Sequence, residues 1–155
     1  MRADAHEPLK LLAMDDEDLT VISVHLQDAV LRLSDVAYQP SENRFVAIMN
    51  RFDWVAAESL NGKRQHRRCQ CALRFDRVKR AQHSRITPGK PDAVELLAVT
   101  FEPAEAPGGF VVLHFAGGGG IRLEVECIEG ELRDLGAVWE TPVKPKHPEI
   151  DSTAA

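Results

Sequence analysis

Long apolar runs are missing from this 155-residue chain. No stretch approaches the roughly 20 apolar residues that cross a bilayer, and the opening MRADAHEPLKLLAMDDED holds acids where a secretory signal has its apolar core. The expectation is a protein without a membrane span, in the cytoplasm. Cysteine is scarce as well. Cys69, Cys71 and Cys127 are an odd number, and a chain of this length fills a core without covalent staples, so reduced thiols are expected rather than a disulfide framework. Aromatic residues make up 6%, and the basic stretch described below has only Phe75 interleaved with it, which leaves little stacking surface for single-stranded nucleic acid.

The recognised catalytic patterns are missing too. Neither G-x-S-x-G nor a known cysteine-nucleophile motif occurs, and His25, His83 and His114 have no partner that sequence identifies. No catalytic residue is nominated, no cofactor is expected, and an enzyme is not the first expectation. The run Gly117-Gly118-Gly119-Gly120 resembles a phosphate cradle until its surroundings are read. A P-loop needs a following Lys, Ser or Thr and then a helix. Here Ile121, Leu123, Val125 and Cys127 alternate with Arg122, Glu124 and Glu126, which is a strand. The glycines therefore read as the turn of a hairpin between 110–116 and 121–128.

What the chain does have is 44% hydrophobic residues, enough for one core. Residues 1–140 read as a single globular domain. The stretch 141–155, with Pro142, Pro145 and Pro148 among charged residues, reads as an extended or disordered tail. Asp15 to Asp18 precede Leu19, Ile22, Leu26 and Val30 at steps of three and four, predicting a helix over about 17–27 with acids at its positive end. A hairpin is expected from 30–38 and 44–50 around Gln39-Pro40-Ser41-Glu42-Asn43, with a bulge near Ser34-Asp35. Ser59 to Arg67 read as a loop, Cys69 to Phe75 as a half-buried strand, and Val94 to Phe101 as a central strand covered on both faces. Ile128, Leu132, Leu135 and either Val138 or Trp139 have the spacing of a short closing helix, which Gly136 would end.

Charge is segregated. Between Lys63 and Lys90 there are ten Lys and Arg residues and one acid, within a chain of net charge -5. Lys63, Arg64, Arg67, Arg68 and Arg74 are the residues nominated for binding an anion or nucleic acid. The competing reading is an electrostatic match to the acidic remainder of the same chain. His66, Cys69, Cys71 and Cys127 are conceivable metal ligands if one register brings 121–127 beside 69–75. A C-x-C pair on one strand face reads more simply as core thiols, so no metal is assigned. Phe52 and Trp54 offer aromatic anchors of the kind used at protein interfaces, although Trp54 also suits the core.

Several segments taken together resemble a known family. They are Leu9-Lys10-Leu11 ahead of the acidic helix start, Asn50-Arg51-Phe52-Asp53-Trp54, Phe101-Glu102-Pro103 to Pro107-Gly108-Gly109, and Phe115-Ala116-Gly117-Gly118-Gly119 to Ile121-Arg122-Leu123 with Glu126-Cys127-Ile128-Glu129. The chain is similar, from about Leu9 to Pro148, to a family of small bacterial proteins known only as a domain of unknown function. That resemblance implies no activity, ligand or partner. The fold expected from the residues is mainly β (α+β): an antiparallel curved sheet or two-layer roll with an N-terminal helix and a short C-terminal helix. A pleckstrin-homology-like split barrel is the alternative. The function expected first is a non-enzymatic protein-binding or assembly module. An anion or nucleic-acid binder acting through 63–85 comes next, and a metal protein or enzyme using the Cys/His set last. Oligomeric state is left open.

Overall fold

The computed structural model describes residues 7–57 and 66–141. Most of the expected loop, including Lys63 and Arg64, and the expected tail beyond Thr141 lie outside the described residues. In chain order the described elements are β1 (Lys10–Ala13), α1 (Asp16–Leu26), β2 (Ala29–Arg32), β3 (Val36–Gln39), β4 (Arg44–Phe52), α2 (Trp54–Ala57), β5 (Arg67–Phe75), β6 (Val78–Ser84), β7 (Ala93–Pro103), β8 (Gly109–Phe115), β9 (Gly120–Val125) and β10 (Gly130–Glu140). The strands form one antiparallel sheet in the order β1-β10-β5-β4-β2-β7-β8-β9-β6, with β3 paired to β4 beside this path. The sheet curls without closing. Among the described residues no helix is long and apolar enough to cross a membrane.

Alternation decides which face of each strand turns inward. Phe45, Ala47 and Met49 of β4, Cys69, Cys71, Leu73 and Phe75 of β5, Val111, Leu113 and Phe115 of β8, and Ile121, Leu123 and Val125 of β9 are all buried. The helix α1 covers this inner face with Leu19, Ile22 and Leu26. Asp15 caps it by accepting the Asp18 N–H at 2.8 Å, while the Asp18 carboxylate accepts the Met14 N–H at 3.0 Å. This reciprocal arrangement satisfies donors that the first turn leaves without partners. Farther along, Ser23 Oγ accepts the Val99 N–H at 2.9 Å and fastens α1 to β7.

Four expectations need correction. The C-terminal helix is instead β10, an 11-residue strand between β1 and β5. Over 130–133 its backbone pairs on both sides, whereas a helix would leave the adjacent edges of β1 and β5 unsatisfied. The helical spacing came from an irregularity between Asp134 and Val138, where Gly136 takes φ +100° and shifts the side-chain alternation. Without a closing helix among the described residues and with an open sheet, the split-barrel alternative falls. The bulge expected at Ser34-Asp35 is a 3-10 turn over Leu33–Asp35 that separates β2 from β3. Of β7, only Leu96 and Val99 are fully buried, because α1 covers one face and the other stays half-exposed.

The glycine run is a hairpin turn. Gly117 and Gly118 have φ +91° and +95°, a region that L-residues with a Cβ resist. At Gly119 a Cβ would stand 2.6 Å from Ile86 Cγ2 and 3.2 Å from the carbonyl oxygens of Ser84 and Arg85, so the turn lies directly against the end of β6. Gly119→Val should therefore lower the unfolding free energy by about 1–3 kcal/mol through overpacking. A urea titration that shows no change would contradict this close approach.

Candidate functional site

Most residues singled out in the sequence converge at one end of the sheet, where the C-terminal end of α1 meets α2, the end of β4, the start of β5 and the irregular part of β10. The inward face of β4 runs Phe45, Ala47, Met49 and then Arg51, a charge in a position otherwise reserved for apolar groups. Arg51 is buried because Asp134 reaches it from β10. Nε donates to Oδ1 at 2.9 Å and Nη2 to Oδ2 at 2.8 Å, with the two side chains 3% and 1% exposed. The Leu9 N–H donates to the same Oδ2 at 2.8 Å, which brings the approach to β1 into the cluster. Burial works to lower the Arg51 pKa, but the hydrogen bonds and charge of Asp134 outweigh it and hold the guanidinium above its ordinary value.

His25 faces this pair from the last turn of α1. Burial and the Arg51 charge lower its pKa against the pull of Asp53 and Asp134, and its Nδ1 is buried with no hydrogen-bond partner. Cys69 stands opposite Arg51, and Cys71 lies between Met49 and Asp134 in the ladder. Burial pushes the Cys69 thiol up to about 11 and the Cys71 thiol up to about 12, so both stay protonated at neutral pH. Cys127 does not join them, because β9 pairs with β6 and β8 rather than with β5. The register needed for a three-thiol site is thus not the one adopted. His66 packs against the Phe52 ring at 5.9 Å. Among the described residues no group of three or more His, Cys, Asp or Glu could hold a metal ion.

The aromatic and basic residues meet at the same end. Phe52 is fully buried and makes an edge-to-face contact with Trp54, with centroids 4.6 Å apart and planes at 68°. Trp54 is half-buried, and its indole Nε1–H donates to the carbonyl of Gln27, the residue that caps α1. Asp53 accepts from Arg67 Nη2 at 3.1 Å. Arg68 Nη1 donates to the carbonyls of Asp28 and Asn50 at 3.2 and 3.1 Å, and its guanidinium lies 5.8 Å from the Phe52 centroid. Arg74 is paired with Asp76 and Glu131 at 3.1 and 3.4 Å. Farther along the basic segment, Arg77 meets Glu129 and Lys79 meets Glu124. Arg67, Arg68 and Arg74 are therefore all engaged within the chain.

Sequence reasoning missed two features here. Arg51, Asp134 and His25 come together from positions up to 109 residues apart, and no local pattern reports such a meeting. The second feature was readable. On a helical wheel the buried Leu19, Ile22 and Leu26 place Val21 and Val24 on the opposite, solvent face, where they are 50% and 60% exposed. Met14 just before the helix and Val55 just after Trp54 are exposed as well, at 64% and 67%.

His25 makes the cluster sensitive to pH. Its folded pKa lies below the unfolded value of about 6.5, so the unfolded chain takes up the proton first as pH falls. The associated stability is fully present above the unfolded pKa and is lost as pH falls through the lowered folded value. Urea midpoints at pH 7.5 and 5 should therefore differ more in the wild type than in His25→Gln. Equal differences would contradict the assignment.

No curated protein and no solved structure matches the chain. A family pattern does, over residues 9–147, a span that holds every strand described above and the whole Arg51–Asp134 cluster. On that match the chain belongs to the family described as protein of unknown function, DUF2948.

Proposed function

We propose that this protein is a non-enzymatic protein-contact module whose contact face is the outer side of α1, continued by Val55. The observation that carries this reading is the exposure of Val21 and Val24 on the helix face opposite the core. Folding gives no reason for them. β-Branched residues are mediocre helix formers, and neither side chain contributes buried area to the core. They do contribute once a partner covers them. Asp15, Asp16 and Glu17 lie exposed at the start of the same helix, so the surface suits a partner that presents apolar side chains flanked by Lys or Arg.

Phe52 and Trp54 take part from behind. Their edge-to-face contact and the Trp54–Gln27 hydrogen bond hold α2 at the end of α1, which leaves Val55 at the surface. The engagement of Arg67, Arg68 and Arg74 with groups of their own chain leaves the polyanion reading less surface to use. Free thiols at Cys69, Cys71 and Cys127 suit a reducing compartment such as the cytoplasm.

The test compares the wild type with Val21→Glu/Val24→Glu by crosslinked capture from the native lysate. Because both sites are solvent-facing, the unfolding free energy should change by no more than about 0.5 kcal/mol per site. Recovery of the specific partner should fall by about tenfold or more, as for residues at the centre of an interface. Identical recovery with both proteins, or nothing specific recovered with either, would contradict the reading.

A further inference from the structure

The far end of the sheet holds a second feature, independent of the contact face. β3 pairs with β4, and β6 pairs with β9. The curl of the sheet brings the other edges of β3 and β6 to face each other without a ladder. At one point the gap is bridged, by Tyr38 Oη donating to the Val78 carbonyl at 3.0 Å and by the Val78 N–H donating to the Asn43 carbonyl at 2.9 Å. Beyond this bridge the unpaired edges enclose a slot of about 280 Å³. Phe45 and Ile121 form its floor, and Val36, Tyr38, Ala81 and Pro88 its walls. Those four wall residues are only half-buried, so apolar surface that would normally complete a core stays in contact with water.

The rim is polar and carries no acid. It consists of Gln82, His83 and Thr87. Gln82 and His83 also border a groove of about 410 Å³ on the other side of β6, lined by Ser84, His114 and Arg122 together with Glu102, the acid that pairs with Arg122 at 3.2 Å. An apolar pocket beside a rim that offers side-chain hydrogen-bond donors and holds no carboxylate suits an apolar body with an anionic head. At roughly 30 Å³ per atom the slot takes about ten non-hydrogen atoms, the size of one aromatic ring or a short acyl chain.

We propose that the slot between β3 and β6 binds a small carboxylate with a compact apolar body, the body lying against Phe45 and Ile121 and the carboxylate at His83. The ligand covers the wall that the sheet leaves open, so the driving force is burial of the surface of Val36, Tyr38, Ala81 and Pro88. The head is selected at the rim, because a cationic group in the same position would find no carboxylate there to pair with.

The experiment titrates the full chain with benzoate, benzyl alcohol and benzylamine and follows backbone amides by NMR. Benzoate should give saturable shifts at Val36, Ala81, His83 and Ile121, and benzylamine should bind about tenfold more weakly or less. Ala81→Leu fills the slot and should weaken benzoate by about tenfold or more. His83→Ala, an exposed edge substitution that leaves the core intact, should remove the preference for benzoate over benzyl alcohol while the Val36 shift persists. The proposal is overturned if wild-type shifts are absent at millimolar benzoate or centred elsewhere. Equal binding of the amine and the acid would overturn it as well.

Discussion

The buried pair of Arg51 and Asp134 is the constraint on which one end of this molecule depends. Each charge alone would be a heavy burden in an interior position, since leaving one partner buried without the other costs about 3–5 kcal/mol. Together they exchange two hydrogen bonds, and the Leu9 N–H adds a third to the same carboxylate. Asp134 shares the inward parity of Leu132 and so meets the arginine that β4 supplies, and β10 becomes irregular only beyond it, between Asp134 and Val138. Three segments distant in sequence are thereby held in one arrangement by a directional contact, where apolar packing alone would tolerate a slip.

From that pair the order spreads outward. Asp53 and Arg67 tie the end of β4 to the start of β5, Arg68 closes over Phe52, and Trp54 reaches the cap of α1. The helix that covers the core is thus locked at its exit by hydrogen bonds and at its start by Asp15 and Asp18. Apolar side chains stay exposed on the outer face of α1 and on α2: Val21, Val24 and Val55. The other end of the sheet has a different character. Phe45 and Phe75 face each other in the ladder there, and β3 and β6 approach without pairing. One end is closed by charge and presents a convex apolar face, and the other is left open and presents a concave one.

Much of this was legible in the sequence wherever one periodicity held without interruption. Asp15 followed by Leu19, Ile22 and Leu26 marks α1, and the alternation on either side of the four glycines marks β8 and β9. The strand at Cys69 to Phe75 follows from the same rule. Failures occur where a charge takes a core position. In β10 the inward residues are Leu132 and then Asp134, so the alternation vanishes and Leu132, Leu135 and Val138 imitate a helix. Arg51 hides the last inward position of β4 in the same way. The edge strand β6, with Lys79, Arg80, Gln82 and His83, has too little apolar content to be recognised, since an edge needs only one partner and benefits from charge. The basic segment was visible as a charge run. Its partners, including Glu129 and Glu131, were not, because they are brought in by pairing across the sheet.

Coupling between Arg51 and Asp134 holds this end of the molecule together, and a double-mutant cycle measures it directly. Unfolding free energies would be determined for Arg51→Met, Asp134→Leu and the double variant, with exchange of the Trp54 indole proton as a local reporter of the α1–α2 junction. Each single variant should lose about 3 kcal/mol or more, because it leaves a buried charge alone. The double variant should recover most of that loss and restore protection at Trp54. A double variant whose loss equals the sum of the two singles would show that the pair does not hold this end of the molecule together.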